Sequence, residues 1–247
     1  MKTAIDNFST ESDKYATFRP TFPKEFINDI CQHLHYRKSA LDIGTGNGQV
    51  AVLLSELFNQ VQAIDISENQ LKNATQAPNV HYQVSRAEKT PFFDEYFDLI
   101  TVGQAFHWFD FDAFFAEVNR ILKPGGIIAI FGYGLIKGDD LFNEKMDAFY
   151  NNTIYQYWDK ERIYIDEAYQ NIDFPFDEVQ LEANYTIKVH WSKSHLKGYL
   201  ESWSAVKKYR TEKQINPVDD FIDAFPNRQT FDLHFPIFYR IGRPKIT

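Results

Sequence analysis

Runs of lysine and arginine are missing from this sequence, and acids outnumber bases, 34 Asp and Glu against 26 Lys and Arg, for a net charge of −8. A phosphate backbone is met by clustered cations, so no nucleic-acid partner is expected. The single cysteine, Cys31, rules out an intrachain disulfide; it falls on the apolar side of an expected helix and reads as inert core. No apolar stretch approaches the roughly 20 residues that cross a bilayer. The opening Met1-Lys2-Thr3-Ala4-Ile5-Asp6-Asn7 lacks the apolar centre of a signal peptide. A soluble, cytoplasmic protein with no membrane partner and no metal site is expected. Aromatic side chains, by contrast, are plentiful at 17%. Much of that content lies in the second half of the chain and points to an aromatic-lined pocket.

The densest signal is Leu41-Asp42-Ile43-Gly44-Thr45-Gly46-Asn47-Gly48, between a short apolar run and the helical-looking 49–57. Strand, glycine-rich turn and helix in that order form the ligand-facing corner of an open α/β sheet, where missing Cβ atoms let backbone approach a ligand. A dinucleotide fold asks for G-x-G-x-x-G with a pyrophosphate at the helix N-terminus. Here the pattern is D-x-G-x-G-x-G, and the carboxylate of Asp42 would repel a pyrophosphate. It suits a ligand carrying ammonium and sulfonium charges, which is S-adenosylmethionine. The next expected strand, 60–65, ends in Asp65, 21 residues after Gly44, where an acid accepts hydrogen bonds from ribose hydroxyls. Ser67-Glu68-Asn69-Gln70 then reads as a capping box, with Asp65 as a plain helix-capping acid the alternative.

Alternation continues along the chain. Phe22, Phe26, Ile27, Ile30, Cys31 and Leu34 have helical spacing; strands are expected at 39–43, 60–65, 79–84, 97–102 and 127–132, and helices at 49–57, 68–76 and 111–122. The run 127–132 is almost wholly apolar, as in a strand buried on both faces. This pattern predicts a doubly wound α/β fold. Beyond Gly134, residues 139–171 look helical and aromatic-rich, 178–190 alternate like a strand, 192–208 and 211–225 look helical, and 229–240 reads as a last strand. One domain spanning 1–247 is expected: a cofactor-binding core at 36–134, an N-terminal arm and helix at 1–35, and a cap with C-terminal sheet elements at 135–228.

Further motifs sit at matching places: Ala87-Glu88-Lys89-Thr90-Pro91-Phe92, Phe97-Asp98-Leu99-Ile100-Thr101, Gln104-Ala105-Phe106-His107-Trp108-Phe109-Asp110, and Arg120-Ile121-Leu122-Lys123-Pro124-Gly125-Gly126. With the glycine turn, the set resembles the class I S-adenosylmethionine-dependent methyltransferases of the type 11 group, which includes trans-aconitate and ubiquinone-pathway enzymes. Tyr15-Ala16-Thr17-Phe18-Arg19-Pro20 and Tyr199-Leu200-Glu201-Ser202-Trp203-Ser204 are similar to segments of the subgroup with the His-Trp-Phe-Asp element. The resemblance implies a Rossmann-like seven-stranded sheet with a helical, aromatic-rich cap. It also implies Gly44, Gly46 and Gly48 around the methionine end of the cofactor with Asp42 nearby, and Asp65 on the ribose. Ile66 would pack on adenine, Ala87 and Glu88 would meet the adenine edge, and Gln104 would lie beside the methionine moiety. Many relatives carry an acid before the Ala-Glu pair, whereas this chain has Arg86, so the adenine contact would fall to backbone groups or Glu88.

The expected function is methyl transfer to a small-molecule acceptor, a carboxylate or other oxygen. His107 is the candidate general base, its imidazole titrating near neutrality, with a loop hydrogen bond as the alternative role. Tyr15, Arg19, Trp108, Trp191 and Trp203 are candidates for the substrate pocket, Arg19 because a guanidinium grips a carboxylate bidentately. Gly125 and Gly126 are expected to shape a turn. Monomer and homodimer are both compatible with the sequence. Two other classes stay open at this point: a cofactor-binding protein without turnover, and an NAD-dependent oxidoreductase, against which the glycine spacing and Asp42 count.

Overall fold

The structure, a computed structural model, describes residues 18–245. Helix α1 (Lys24–Gln32) precedes β1 (Ser39–Ile43), α2 (Gln49–Ser55), β2 (Gln60–Asp65), α3 (Glu68–Lys72), β3 (Val80–Val84) and β4 (Phe97–Gly103). A 3-10 turn (Phe106–Trp108), α4 (Phe111–Ile121) and β5 (Leu122–Tyr133) complete the first half. The sheet runs β3-β2-β1-β4-β5 with all pairs parallel, then continues antiparallel through β8 (Thr230–Arg243) to β6 (Asp177–Glu178). Those seven strands form one path, and β7 (Thr186–Ser192) is an added strand pairing with the first half of β8.

The apolar strands explain the layering. All of β1 and nearly all of β4 are buried, so both faces must be covered. Ala40, Leu99, Ile127, Ala129 and Phe131 point to the α1 and α2 side. Their sequence neighbours Leu41, Ile100, Ile128 and Ile130 point to the other side, against α4. Side-chain alternation across strands thus feeds two separate cores.

The second half departs from the sequence expectations at its joints. The helix expected at 192–208 is two helices, α7 (Lys193–Glu201) and α8 (Ser204–Lys213), because Trp203 takes an extended backbone and turns its ring into a cluster with Phe149, Trp158 and Tyr199. The helix expected at 211–225 starts only at α9 (Pro217–Asp223), after Gln214 adopts a left-handed conformation; Asn216 caps it and Pro217 opens it. Residues 139–171 hold α5 (Asp140–Ala148), a π-type segment Phe149–Ile154, a 3-10 turn and α6 (Arg162–Asp166). The Lys123–Gly126 stretch lies within β5 as an irregularity: the pairing with β4 shifts register there, and Gly125 has φ +76°.

Strand order reverses between β1 and β4. Their carboxyl ends, with the loops 44–48 and 104–110, flank the crevice where open α/β sheets bind ligands. Among the described residues no helix is long and apolar enough to cross a membrane, and no cluster of His, Cys, Asp and Glu could hold a metal ion.

Candidate active site

Two cavities open at this crevice. The first, of about 170 Å³, is lined by Asp42, Gly44, Thr45, Gly46 and Asn47 from the β1 turn, Asp65 and Ile66 after β2, and Ala87 and Glu88 after β3. Gln104, Ala105, Trp108 and Phe109 after β4 close it, with Arg19 and Tyr133 at its far side. The second, of about 100 Å³, shares Arg19, Gln104, Trp108 and Tyr133 with the first and extends to His107, Trp158, Asp159, Arg162, Tyr199, Trp203 and Lys207.

Local backbone chemistry builds the first cavity. Gly44 sits at φ +66°, and a Cβ there would lie 2.6 Å from the Cβ of Ala105, so only glycine lets the β1 and β4 loops meet. Asp65 accepts from the Gly46 amide at 2.9 Å and from the Ser67 amide at 2.9 Å, which fixes the acid against the glycine turn. Helix α3 is capped by Ser67, whose hydroxyl accepts from the Gln70 amide at 3.3 Å. The cap is therefore Ser67, and Asp65 holds the turn in front of it.

Asp42 is 1% exposed and accepts from the hydroxyls of Thr45 at 2.5 Å and Thr101 at 2.8 Å. Burial pushes its pKa up to about 6, with the two hydroxyls pulling the other way. Gln70 Oε1 is buried at this cavity without a hydrogen-bond partner among the described residues. Three carboxylates and an unsatisfied acceptor suit a ligand that brings positive charge and donors. Ile66, 37% exposed, gives the wall an apolar face. Glu88 accepts from the Asp110 amide at 3.2 Å and pairs with Arg86 at 3.3 Å, so Arg86 holds Glu88 in place and does not itself line the cavity.

Gln104 joins the two cavities. It has φ +56°, a conformation that costs free energy for any residue with a Cβ. Its backbone amide donates to Phe131 O at 2.9 Å, and its Oε1 accepts from the Tyr133 amide at 2.9 Å. The side chain thereby ties the end of β4 to the end of β5 beneath both cavities.

Two expected positions fall elsewhere. Gly48 is not among the lining residues; it starts α2 at φ +83°, with the Tyr82 ring packed where a side chain would go. Trp191 lines neither cavity: it is 8% exposed and packs in the core against His195, Tyr199 and Phe235. Trp108 and Arg19 line both cavities and Trp203 the second; Tyr15 lies outside the described residues. His107 is buried in the second cavity, its Nδ1 3.1 Å from the Tyr169 hydroxyl. Trp158, Asp159, Arg162 and Lys207 also line that cavity and carried no motif in the sequence. The motif residue Arg120 is structural: it binds Glu117, Asp94 and the Phe92 carbonyl, while Glu117 accepts from the Thr90 amide and hydroxyl.

A methyltransferase-domain family model matches residues 41–130. The chain is 32% identical over 250 residues to the Dictyostelium discoideum protein named "Putative methyltransferase", an alignment covering 96% of this chain and 95% of the other. It is 30% identical over 141 residues to "Probable S-adenosylmethionine-dependent methyltransferase CRG1" of Saccharomyces cerevisiae, covering 53% of this chain and 48% of the yeast protein. The solved structure of a "Putative Type II Methyltransferase" from Anaeromyxobacter dehalogenans has a TM-score of 0.85 and 32% identity over 92% of this chain and all of that one. These likenesses leave no room for the NAD-dependent alternative. With the seven-strand path and a carboxylate-lined cavity at the glycine turn, they identify the chain as a member of the class I S-adenosylmethionine-dependent methyltransferases, type 11 group, with S-adenosylmethionine as its cofactor.

Proposed function

We propose that the protein transfers a methyl group to an oxygen, a carboxylate among the candidates, of a small molecule held in the second cavity. The observation that carries this is the shared wall: Arg19, Gln104, Trp108 and Tyr133 border both cavities, so donor and acceptor can meet there. Asp42, Gly44 and Gly46 would hold the methionine end of the cofactor, Asp65 its ribose hydroxyls, and Ile66, Ala87 and Glu88 its adenine. Bound there, S-adenosylmethionine supplies an electrophilic methyl on a sulfonium. The chain's own part is positioning, which can supply much of the rate of an in-line displacement. Arg19, donating to Tyr133 Oη at 3.3 Å and lying 5.5 Å over the Tyr199 ring, would orient an acceptor anion at the shared wall.

A carboxylate acceptor needs no base. A phenol or enol would need one, and His107, buried beside Tyr169, is the group to take that proton. Residues 36–134 would serve the cofactor, and 1–35 with 135–228 the acceptor, in a cytoplasmic monomer or homodimer that binds no nucleic acid. Incubating the protein with methyl-labelled cofactor and a metabolite extract, then finding the labelled product by mass spectrometry, tests the proposal. Label in a small acid or phenol supports it. Label only in protein or RNA contradicts it, and a bound cofactor with no label anywhere favours the binding-only alternative.

A further inference from the structure

Two residues lining the second cavity carry buried polar atoms with no hydrogen-bond partner among the described residues, Trp158 Nε1 and Asp159 Oδ2. Asp159 spends its other oxygen on Lys208 at 2.6 Å. Arg162, three residues on, uses only Nε in hydrogen bonds, to Tyr150 Oη at 2.8 Å and Asp166 at 2.9 Å, and its guanidinium stacks 4.5 Å over the Trp158 ring. Its Nη1 and Nη2 donate to no protein atom among the described residues. A buried unsatisfied polar group destabilises a fold, and two of them, with the outer edge of the half-buried Arg162 guanidinium beside them, lie on the five-residue stretch 158–162 that lines one cavity.

If methyl transfer is the activity of the paired cavities, as proposed above, we infer that the 158–162 segment is the handle by which the acceptor is held. Its ligand is a carboxylate with a hydroxyl or ammonium group within a few atoms of it. Arg162 and the Trp158 indole N–H donate to the carboxylate, and Asp159 Oδ2 accepts from the neighbouring O–H or N–H. With Arg162 paired to Asp166 and Asp159 to Lys208, the cations Arg19 and Lys207 also line the cavity and leave its charge favourable to an anion. Trp158, Asp159 and Arg162 border only the second cavity, so this carboxylate is an anchor, and the methylated atom is a different group of the same molecule, lying nearer the shared wall. Leu135, Tyr199 and Trp203 would cover its apolar body.

Three probes separate the contributions: 3-phenyllactate, phenylalanine and 3-phenylpropanoate, which keep ring and carboxylate while supplying a hydroxyl, an ammonium or neither. Their affinities are measured calorimetrically with S-adenosylhomocysteine saturating the first cavity. The lactate or the amino acid should bind at least about tenfold more tightly than the propanoate, and which of the two wins identifies the donor. Asp159→Asn should remove that advantage, and Trp158→Phe should weaken all three. In the unliganded protein Trp158→Phe should leave the melting temperature unchanged or raised, because the ring stays and an unsatisfied donor goes. S-adenosylhomocysteine affinity should not change in either variant. Equal binding of all three probes, no binding of any at millimolar concentration, or affinities indifferent to both substitutions would overturn the inference. Label transfer to an extract metabolite alongside such a result would leave the methyltransferase proposal standing; its absence would remove that proposal on separate grounds.

Discussion

The two cavities differ in charge and in origin. The first gathers Asp42, Asp65 and Glu88 against Arg19; the second gathers Arg19, Arg162 and Lys207 against Asp159. A cationic donor and an anionic acceptor would each meet the opposite charge in its own cavity, and the shared wall would bring them together. The first cavity is made mainly by turns at the ends of parallel strands. The second is assembled from helix ends and turns of the cap, from Trp158 to Lys207, packed on aromatic rings. On the proposed function, the sheet would hold the cofactor and the cap would select the acceptor.

The largest effect on this contrast is expected from Gly44→Val. A side chain at φ +66° would meet Ala105, so the variant should lose detectable cofactor binding and about 2 kcal/mol or more of stability. Calorimetry with S-adenosylhomocysteine and a denaturant melt measure the two losses. Wild-type binding in this variant would mean that the glycine turn does not shape the first cavity.

Asp65→Ala is expected next, weakening the cofactor by about 1–3 kcal/mol while the fold persists, since Ser67 still caps α3. Unchanged affinity in a folded variant would reduce Asp65 to a brace for the glycine turn.

Asp42 makes a pH-dependent prediction with two opposite signs. Its pKa in the folded protein, about 6, lies above the ordinary 3.8, so the folded state holds the proton more tightly. Its stability contribution is fully present below about pH 4 and lost as pH rises through about 6, up to about 3 kcal/mol. A ligand carrying ammonium and sulfonium charge favours the ionised form, so cofactor affinity should rise over the same window. Asp42→Asn should flatten both profiles. A cofactor affinity constant from pH 5 to 8 in the wild type would show that the Asp42 carboxylate does not hold the cofactor.

How much of this was legible beforehand follows the same division. Asp42, Gly44, Gly46, Asp65 and Gln104 are sequence-local: each sits at a strand end, and spacing along one chain carries them to the crevice. Gly48 shows where spacing misleads, because a glycine needed to start a helix looks the same in sequence as one needed to admit a ligand. The second cavity has no such locality. Arg19 and Tyr133 Oη are in contact across 114 positions, and Trp203 reaches Trp158 only because the helix expected through 192–208 breaks there. The aromatic excess signalled a pocket, but not which rings face it. Trp191 was as good a candidate as Trp203 until β7 placed it in the core.

Trp191→Phe therefore serves as the weakest and most discriminating control. It should cost about 1–2 kcal/mol of stability through lost packing and change neither cofactor nor acceptor affinity. A selective loss of acceptor binding would put the boundary of the second cavity in the wrong place.

A meeting of donor and acceptor at Arg19, Gln104, Trp108 and Tyr133 is tested by Arg19→Ala, assayed in parallel for cofactor affinity and for turnover of the acceptor found by label transfer. Turnover falling by about tenfold or more with cofactor affinity within about threefold of wild type is the predicted result. Loss of cofactor binding would assign Arg19 to the first cavity alone, and wild-type values for both would contradict a shared wall at this residue.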